Sequence, residues 1–155
     1  MSEMNERVYI GIDPGKDGAM AVLFPNGVRV VPFDKPAYVS MMVKLSVYDR
    51  RCVLEHVGAM PGQGSVSMFH FGENFGWVQG LLDSYHVPYE LVRPQKWKKE
   101  FSCTSDKNTS IEVARRLFPG VDLRRTPRCQ KPHDGICEAL LMASYAKRRF
   151  GGDYA

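Results

Sequence analysis

The arrangement of apolar segments in the first third of the chain most constrains its fold. Residues 8–13, 19–24 and 28–32 are mostly apolar and contain β-branched side chains, which is typical of buried strands. A Pro-Gly pair ends the first segment, and a Pro-Asn-Gly sequence at residues 25–27 is typical of a tight hairpin turn. The chain is therefore predicted to begin with three antiparallel strands.

Strands and helices are predicted to alternate in the rest of the chain. Further strands are predicted over residues 51–57 and 89–92, with Ser105 or Asp106 as the N-cap of a later helix. Helices are predicted over residues 38–47, 67–85, 94–101, 106–118 and 134–149. This order predicts an α/β domain with a mixed sheet. The length of 155 residues and the hydrophobic content of 44% fit one globular domain, residues 1–155.

Two acidic residues lie at the ends of predicted strands. Asp13 precedes the Pro-Gly pair, where an Asp is also common as a turn residue that hydrogen-bonds its own backbone. Glu55 closes an apolar run, and a carboxylate there needs a partner or a metal to offset its desolvation. Because parallel strands present functional residues at their carboxyl ends, these two side chains are expected at one edge of the sheet.

Two more acids lie on the last predicted helix. Asp134 and Glu138 are four residues apart, so they project from one face of the helix. Like charges at this spacing weaken a helix unless a cation lies between them, although a solvated face with Asp134 at the helix N-terminus is the alternative. Together with Asp13 and Glu55 they form an oxygen-rich set of the kind that binds Mg²⁺. Two such ions about 4 Å apart can hydrolyse a phosphodiester.

Positive charge is concentrated in the second half of the chain, although the net charge is only +4. A solvated surface and a phosphate-binding surface are both consistent with this distribution. Trp97 lies among the lysines of the third predicted helix, where packing is favoured over base stacking. The candidate phosphate-binding lysines are Lys96, Lys98, Lys99 and Lys107.

Other interpretations of the motifs are less favoured. Residues 13–18 also resemble the phosphate-binding hairpin of an actin-like ATPase, but that fold needs two lobes and a second phosphate loop. Cys129, His133 and Cys137 are spaced by four, yet an intervening proline and the lack of a fourth ligand argue against zinc. No secretory signal and no apolar run of about 18 residues is found, so we expect a cytoplasmic protein with free thiols and no membrane partner.

The ordered set of motifs resembles the RuvC family of Holliday-junction resolvases, and it is most similar to the RuvC-like enzymes of phages. The resemblance covers roughly residues 8 to 148. It implies an RNase H-like fold, in which a five-stranded mixed sheet is flanked by helices. The motifs are Ile10-Gly-Ile-Asp-Pro-Gly15, Leu54-Glu55, Pro94-Gln-Lys-Trp-Lys-Lys99, Thr104-Ser-Asp-Lys107 and Asp134 … Glu138-Ala-Leu-Leu-Met-Ala143.

The resemblance also implies the chemistry: a crossover junction endodeoxyribonuclease that cleaves branched DNA with two Mg²⁺ ions, or Mn²⁺, per site. It assigns the metal to Asp13, Glu55, Asp134 and Glu138, with His133 assisting. It assigns the DNA backbone to Lys96, Lys98, Lys99 and Lys107. If the chain is of phage origin, it acts in the cytoplasm of a bacterial host. A broader flap or branched-DNA nuclease and a non-catalytic branched-DNA-binding protein are the alternatives.

Two departures from the family pattern leave assignments open. The last two ligands are typically three residues apart in the bacterial enzymes, and alignment on Glu138 then puts Gly135 where Asp134 is expected to act. The bacterial enzymes also carry an aromatic residue after the second acid, used at the junction centre. This chain has Gly-Ala-Met there, so Met60, Phe69 or Phe71 is the candidate wedge.

A ridge of small residues runs along the helix predicted over residues 67–85. Gly72, Gly76, Gly80 and Ser84 recur every four residues, although each glycine costs a helix about 1 kcal/mol relative to alanine. Either the ridge packs against the protein's own sheet or another chain approaches it closely. The resemblance favours the second interpretation, a homodimer, because the corresponding helix forms the dimer contact in RuvC-like enzymes.

Overall fold

Five strands form one mixed sheet in the computed structural model, which describes residues 5–56, 58 and 62–154. The strand order is β3-β2-β1-β4-β5, with β1 antiparallel to β2 and parallel to β4. The β2–β3 hairpin is antiparallel and the β4–β5 pair is parallel, so the predicted mixed sheet is confirmed. The strands are β1 (Arg7–Asp13), β2 (Ala19–Phe24), β3 (Gly27–Pro32), β4 (Asp49–Glu55) and β5 (Tyr89–Val92).

Five helices and a short terminal 3₁₀ turn, Gly151–Tyr154, accompany the sheet in the described residues. Asp106 caps α4, because its carboxylate accepts a hydrogen bond from the Asn108 amide at 3.0 Å. The first helix starts earlier than predicted, since Asp34 caps it by accepting from the Ala37 amide at 3.0 Å. The helices are α1 (Lys35–Leu45), α2 (Ser65–Ser84), α3 (Pro94–Glu100), α4 (Lys107–Leu117) and α5 (Asp134–Phe150).

The two faces of the sheet carry separate hydrophobic cores. The α1 and α2 helices pack on one face, where Ile10, Ile12 and Leu82 are buried. The α3, α4 and α5 helices pack on the other, where α5 buries Ala139, Leu140 and further apolar residues against β1, β2 and β4. This alternation follows from the two-residue period of a strand. None of the described helices is long and apolar enough to cross a membrane.

Helix α5 lies directly against the middle of β1 at Gly11. A Cβ atom at this position would overlap the Ala139 carbonyl oxygen and the Ala143 amide nitrogen of the helix backbone. No side-chain rotation can relieve such an overlap, because both atoms belong to a rigid helix. Gly11 therefore allows the backbone of α5 to lie in close contact with β1.

Candidate metal site

Three carboxylates converge where β1 and β4 end. The strands run in parallel with Ile12 opposite Leu54, so Asp13 and Glu55 leave the sheet at the same edge. Glu138, in the second turn of α5, reaches the same point. Each of the three acids offers an oxygen atom, and these atoms lie within 4.8 Å of one another. The end of the sheet therefore holds a compact oxygen donor set.

Two glycines let α5 approach this edge. The turn after β1 closes with a hydrogen bond from the Gly18 amide to the Gly15 carbonyl at 2.9 Å. A Cβ atom on Gly18 would overlap the Asp13 carbonyl oxygen. A Cβ atom on Gly135 would overlap the Asp17 carbonyl oxygen and would come within 2.9 Å of the Gly18 Cα. The first turn of α5 thus rests on the β1–β2 turn, which fixes Glu138 beside Asp13.

Burial governs the ionisation of the three acids. Desolvation, followed by the charge of Asp13, raises the pKa of Glu55 to about 7. Desolvation and the charges of Asp13 and Glu55 raise the pKa of Glu138 to about 8. Burial also raises the pKa of Asp13. A divalent cation among the oxygens would reverse the effect of burial and of mutual repulsion, so the donor set fits Mg²⁺ or Mn²⁺.

Asp134 lies beside the cluster and outside it. Its carboxylate is 3.0 Å from the Lys107 ammonium, and its side chain is 40% exposed. Lys107 lines the same cavity of about 720 Å³ as Asp13, Asp134 and Glu138. Gly135, the other residue considered for the third ligand, offers no side chain and contacts the β1–β2 turn instead. Of the four predicted ligands, the structure brings three together.

Two buried polar atoms at this edge have no hydrogen-bond partner among the described residues. One is Nδ1 of His133, which precedes α5 and lines the same cavity as the acids. The other is the hydroxyl of Tyr38 on α1, whose pKa is raised by burial and by the charge of Asp13. Buried polar atoms are usually hydrogen-bonded, so these two atoms are among the exceptions in the described residues.

The predicted DNA-binding lysines differ in position. Lys98 is half-buried, and its charge lowers the pKa of both Glu55 and Glu138. Lys98 and Lys99 line a second cavity of about 590 Å³ together with Ser102 and Thr104. Lys96 and Lys99 are exposed. Positive charge thus extends from the acid cluster onto the outer surface of α3.

The indole of Trp97 hydrogen-bonds a member of the acid cluster. Its Nε1–H donates to Glu55 Oε2 at 2.9 Å, and the Trp97 side chain is fully buried. Sequence reasoning considered packing and stacking for this residue and missed the hydrogen bond. The available signal was that a buried Trp N–H requires an acceptor and that Glu55 was the nearest candidate by strand order.

The basic segment between α4 and α5 also reaches the site. Arg125 is 3.4 Å from the Asp17 carboxylate in the β1–β2 turn. Arg124, in contrast, forms two bonds with Asp122 of its own segment, each 2.9 Å long. Sequence reasoning named this basic loop without placing it, because a contact between residues so distant in the chain leaves no local pattern.

The ridge of small residues on α2 does not pack against the protein's own sheet. A Cβ atom on Gly72, Gly76 or Gly80 would meet no atom of the described residues within 4 Å beyond the helix itself. Phe69 shares this helical face and is 68% exposed. Of the candidate wedge residues, Phe71 lines the cavity of the acid cluster, and Met60 lies outside the described residues.

Two solved structures share this fold over nearly the whole chain. One is T. thermophilus RuvC in complex with a Holliday junction substrate, with a TM-score of 0.60, 16% identity, and coverage of 96% of this chain and 97% of that chain. The other is Thermus thermophilus RuvC, with a TM-score of 0.59, 17% identity, and coverage of 93% of this chain and 96% of that chain. No protein-family model and no curated protein sequence matches this chain.

These similarities confirm the predicted architecture. The chain has a RuvC-like fold within the RNase H-like class, with a five-stranded mixed sheet and flanking helices. Identities of 16% and 17% establish a likeness of fold alone.

Proposed function

We propose that this protein is a metal-dependent DNA endonuclease that cleaves four-way junctions. The observation that carries the proposal is the convergence of Asp13, Glu55 and Glu138 at one sheet edge of a RuvC-like fold. A structure of similar fold is in complex with a Holliday junction substrate, which supports branched DNA as the substrate. Lys98 and Lys107 next to the acids provide the positive charge that a phosphodiester requires.

In this proposal Asp13, Glu55 and Glu138, together with Asp134, would hold two divalent ions, Mg²⁺ or Mn²⁺. Such ions, when bound, activate water and stabilise the leaving oxygen of an in-line displacement. Asp134 would have to leave Lys107, from which it is 3.0 Å away, to join the set. Lys107 would then be available to donate to a phosphate and to stabilise its developing negative charge.

His133 is the proposed residue for proton handling. Its side chain lines the same cavity as Asp13 and Glu138. From there its imidazole would position the attacking water or accept a proton from it. Lys96, Lys98 and Lys99 on α3 bind the backbone of the same DNA strand, since phosphate contacts set the position of a protein on DNA.

A homodimer is part of the proposal, because a four-way junction has two-fold symmetry and resolution cuts two opposed strands. Its support in this chain is the exposed face of α2. Gly72, Gly76 and Gly80 leave open space there, and Phe69 and Val66 on the same helix are 68% and 69% exposed. A small-residue ridge flanked by exposed apolar side chains suits close contact with a second copy of the helix.

The function is tested by incubating the protein with synthetic four-way junctions, flaps and linear duplex, with and without Mg²⁺. We expect symmetric Mg²⁺-dependent nicks across the junction. Asp13→Asn and Glu55→Gln should each abolish cleavage while junction binding is retained or tightened, because phosphate repulsion is reduced. Cleavage of flaps alone would favour the broader branched-DNA nuclease. Binding without cleavage in Mg²⁺ and in Mn²⁺ would favour the non-catalytic protein.

A further inference from the structure

Helix α3 returns the chain to the acid cluster directly after β5. Glu55 ends β4 opposite Val92, which ends β5, and Pro94 begins α3 two residues later. A proline suits this first helical position, because its fixed φ matches the helix and its missing N–H is not needed there. Trp97 lies one turn further on, and its indole meets Glu55.

The contact between Trp97 and Glu55 is polar and directional. The two atoms, Nε1 and Oε2, are 2.9 Å apart, and both side chains are buried, with Glu55 only 7% exposed. No other described residue gives the Glu55 carboxylate a side-chain hydrogen bond. An indole N–H can only donate, so its one hydrogen bond fixes the position of a single Glu55 carboxylate oxygen. A phenylalanine would fill much of the same volume without this property.

We propose that Trp97 is a positioning residue of the metal site, whose indole N–H holds the Glu55 carboxylate in the orientation needed to bind a divalent cation. This inference rests on the proposed function, because it requires that Glu55 be a metal ligand. Hydrogen bonds to metal ligands orient them, and their loss typically lowers metal affinity by about 10- to 100-fold.

Trp97 also links the metal ligand to the surface of α3. The Lys98 ammonium lies 5.6 Å from the centroid of the Trp97 ring, and Lys96 flanks it on the other side in the chain. One short helix thus carries the residue that orients Glu55 and the lysines assigned to the DNA backbone. A displacement of α3 changes both at once.

The first test compares Mn²⁺ binding to the parent protein, Trp97→Phe and Trp77→Phe, measured by the electron paramagnetic resonance signal of free Mn²⁺. Trp77 is the other of the two tryptophans and packs near Phe33 and Tyr38 on the opposite face, so it is the matched control. We expect Trp97→Phe to weaken Mn²⁺ binding about tenfold or more and Trp77→Phe to leave it unchanged. Equal affinity of a folded Trp97→Phe protein would overturn the inference. Absence of Mn²⁺ binding by the parent would instead reject the proposed function.

A second measurement applies even if Trp97→Phe does not fold. In Trp77→Phe the single indole N–H resonance in a ¹⁵N–¹H spectrum belongs to Trp97. We expect Mg²⁺ to shift this resonance, and Glu55→Gln in the same background to move it and abolish the response to Mg²⁺. A resonance that stays fixed while Mg²⁺ binds would show that Trp97 acts only in packing.

Discussion

Glycines have opposite surroundings in two regions of this molecule. Where α5 meets the sheet, a Cβ atom on Gly11 or Gly135 would overlap backbone atoms of the same chain. On the outer face of α2, a Cβ atom on Gly72, Gly76 or Gly80 would meet no other described residue within 4 Å. The first group is explained by packing within the chain. The second group has a helix-propensity cost that no contact within the described residues offsets, which is consistent with the homodimer proposed above.

The largest expected effect is at Gly11. Gly11→Ala should lower the free energy of unfolding by about 3 kcal/mol or more, because the added methyl group overlaps the backbone of α5. Gly76→Ala is the matched control and should raise it by up to about 1 kcal/mol at concentrations where the protein is monomeric. Urea denaturation followed by circular dichroism measures both. Similar values for the two variants would remove the contrast between the regions.

Gly135→Ala should lower both the stability of the protein and its affinity for Mn²⁺. The new methyl group pushes the first turn of α5 away from Asp17 and Gly18, which moves Glu138 relative to Asp13. We expect a loss of stability of about 1–3 kcal/mol together with a weaker affinity for Mn²⁺. Isothermal titration with Mn²⁺ measures the second effect. Gly80→Ala is the control: it should leave Mn²⁺ affinity unchanged and alter stability only by the difference in helix propensity. Unaltered Mn²⁺ binding by Gly135→Ala would show that the contact of Gly135 with the β1–β2 turn does not position Glu138.

The two regions should also differ in their response to pH. The pKa of Glu55 is about 7 and that of Glu138 about 8 in the folded protein, against an ordinary value of 4.5. Their contribution to stability is therefore complete below pH 4.5 and is lost as pH rises through 7 to 8. In EDTA the free energy of unfolding should fall by on the order of 6 kcal/mol from pH 5 to pH 8.5.

Urea titrations at several pH values measure this loss. Glu138→Gln should flatten the profile, whereas Gly76→Ala should keep the slope of the parent protein. Mg²⁺ at pH 8 should restore stability by binding the ionised acids. A parent profile as flat as that of Glu138→Gln would contradict the pKa values of the cluster.

A bulky side chain on the open face of α2 should change assembly more than folding. We expect Gly76→Leu to give a folded monomer that binds junctions weakly and nicks them on one strand, because a leucine prevents close helix contact. Sedimentation velocity at micromolar concentration measures the assembly state. Gly27→Leu, at another glycine with open surroundings, is the control. A parent protein that is monomeric both free and on junction DNA would reject the homodimer.

The smallest effect is expected at the lysines of α3, which are proposed to bind DNA through charge. Lys98→Ala and Lys99→Ala should each weaken binding to every DNA sequence alike. Each should also reduce the slope of log affinity against log salt by about one unit. Fluorescence anisotropy over a salt series measures the slope. An unchanged slope would return both lysines to the class of ordinary solvated residues.

The sequence contained enough information for the sheet and for part of the site. Mostly apolar runs with β-branched residues predicted the strands, and the parallel ends of two of them predicted that Asp13 and Glu55 would meet. The contact of Trp97 with Glu55 was not predictable, because it depends on how α3 docks and not on spacing. The pairing of Asp134 with Lys107 was missed for the same reason. Patterns along the chain describe elements well, but they do not describe which side chains share a partner across elements.

The packing contact between α5 and β1 has a consequence for the folding of the protein. Asp13 and Glu138 lie near opposite ends of the sequence, and Gly11 and Ala139, their near neighbours, form the backbone contact that completes one core. Contacts between such distant residues close large loops and form late in folding. A partly folded chain that lacks the docked helix therefore has only two of the three clustered acids. The capacity to bind the ion would then appear in the same step as the finished core, and misfolded copies would be inert.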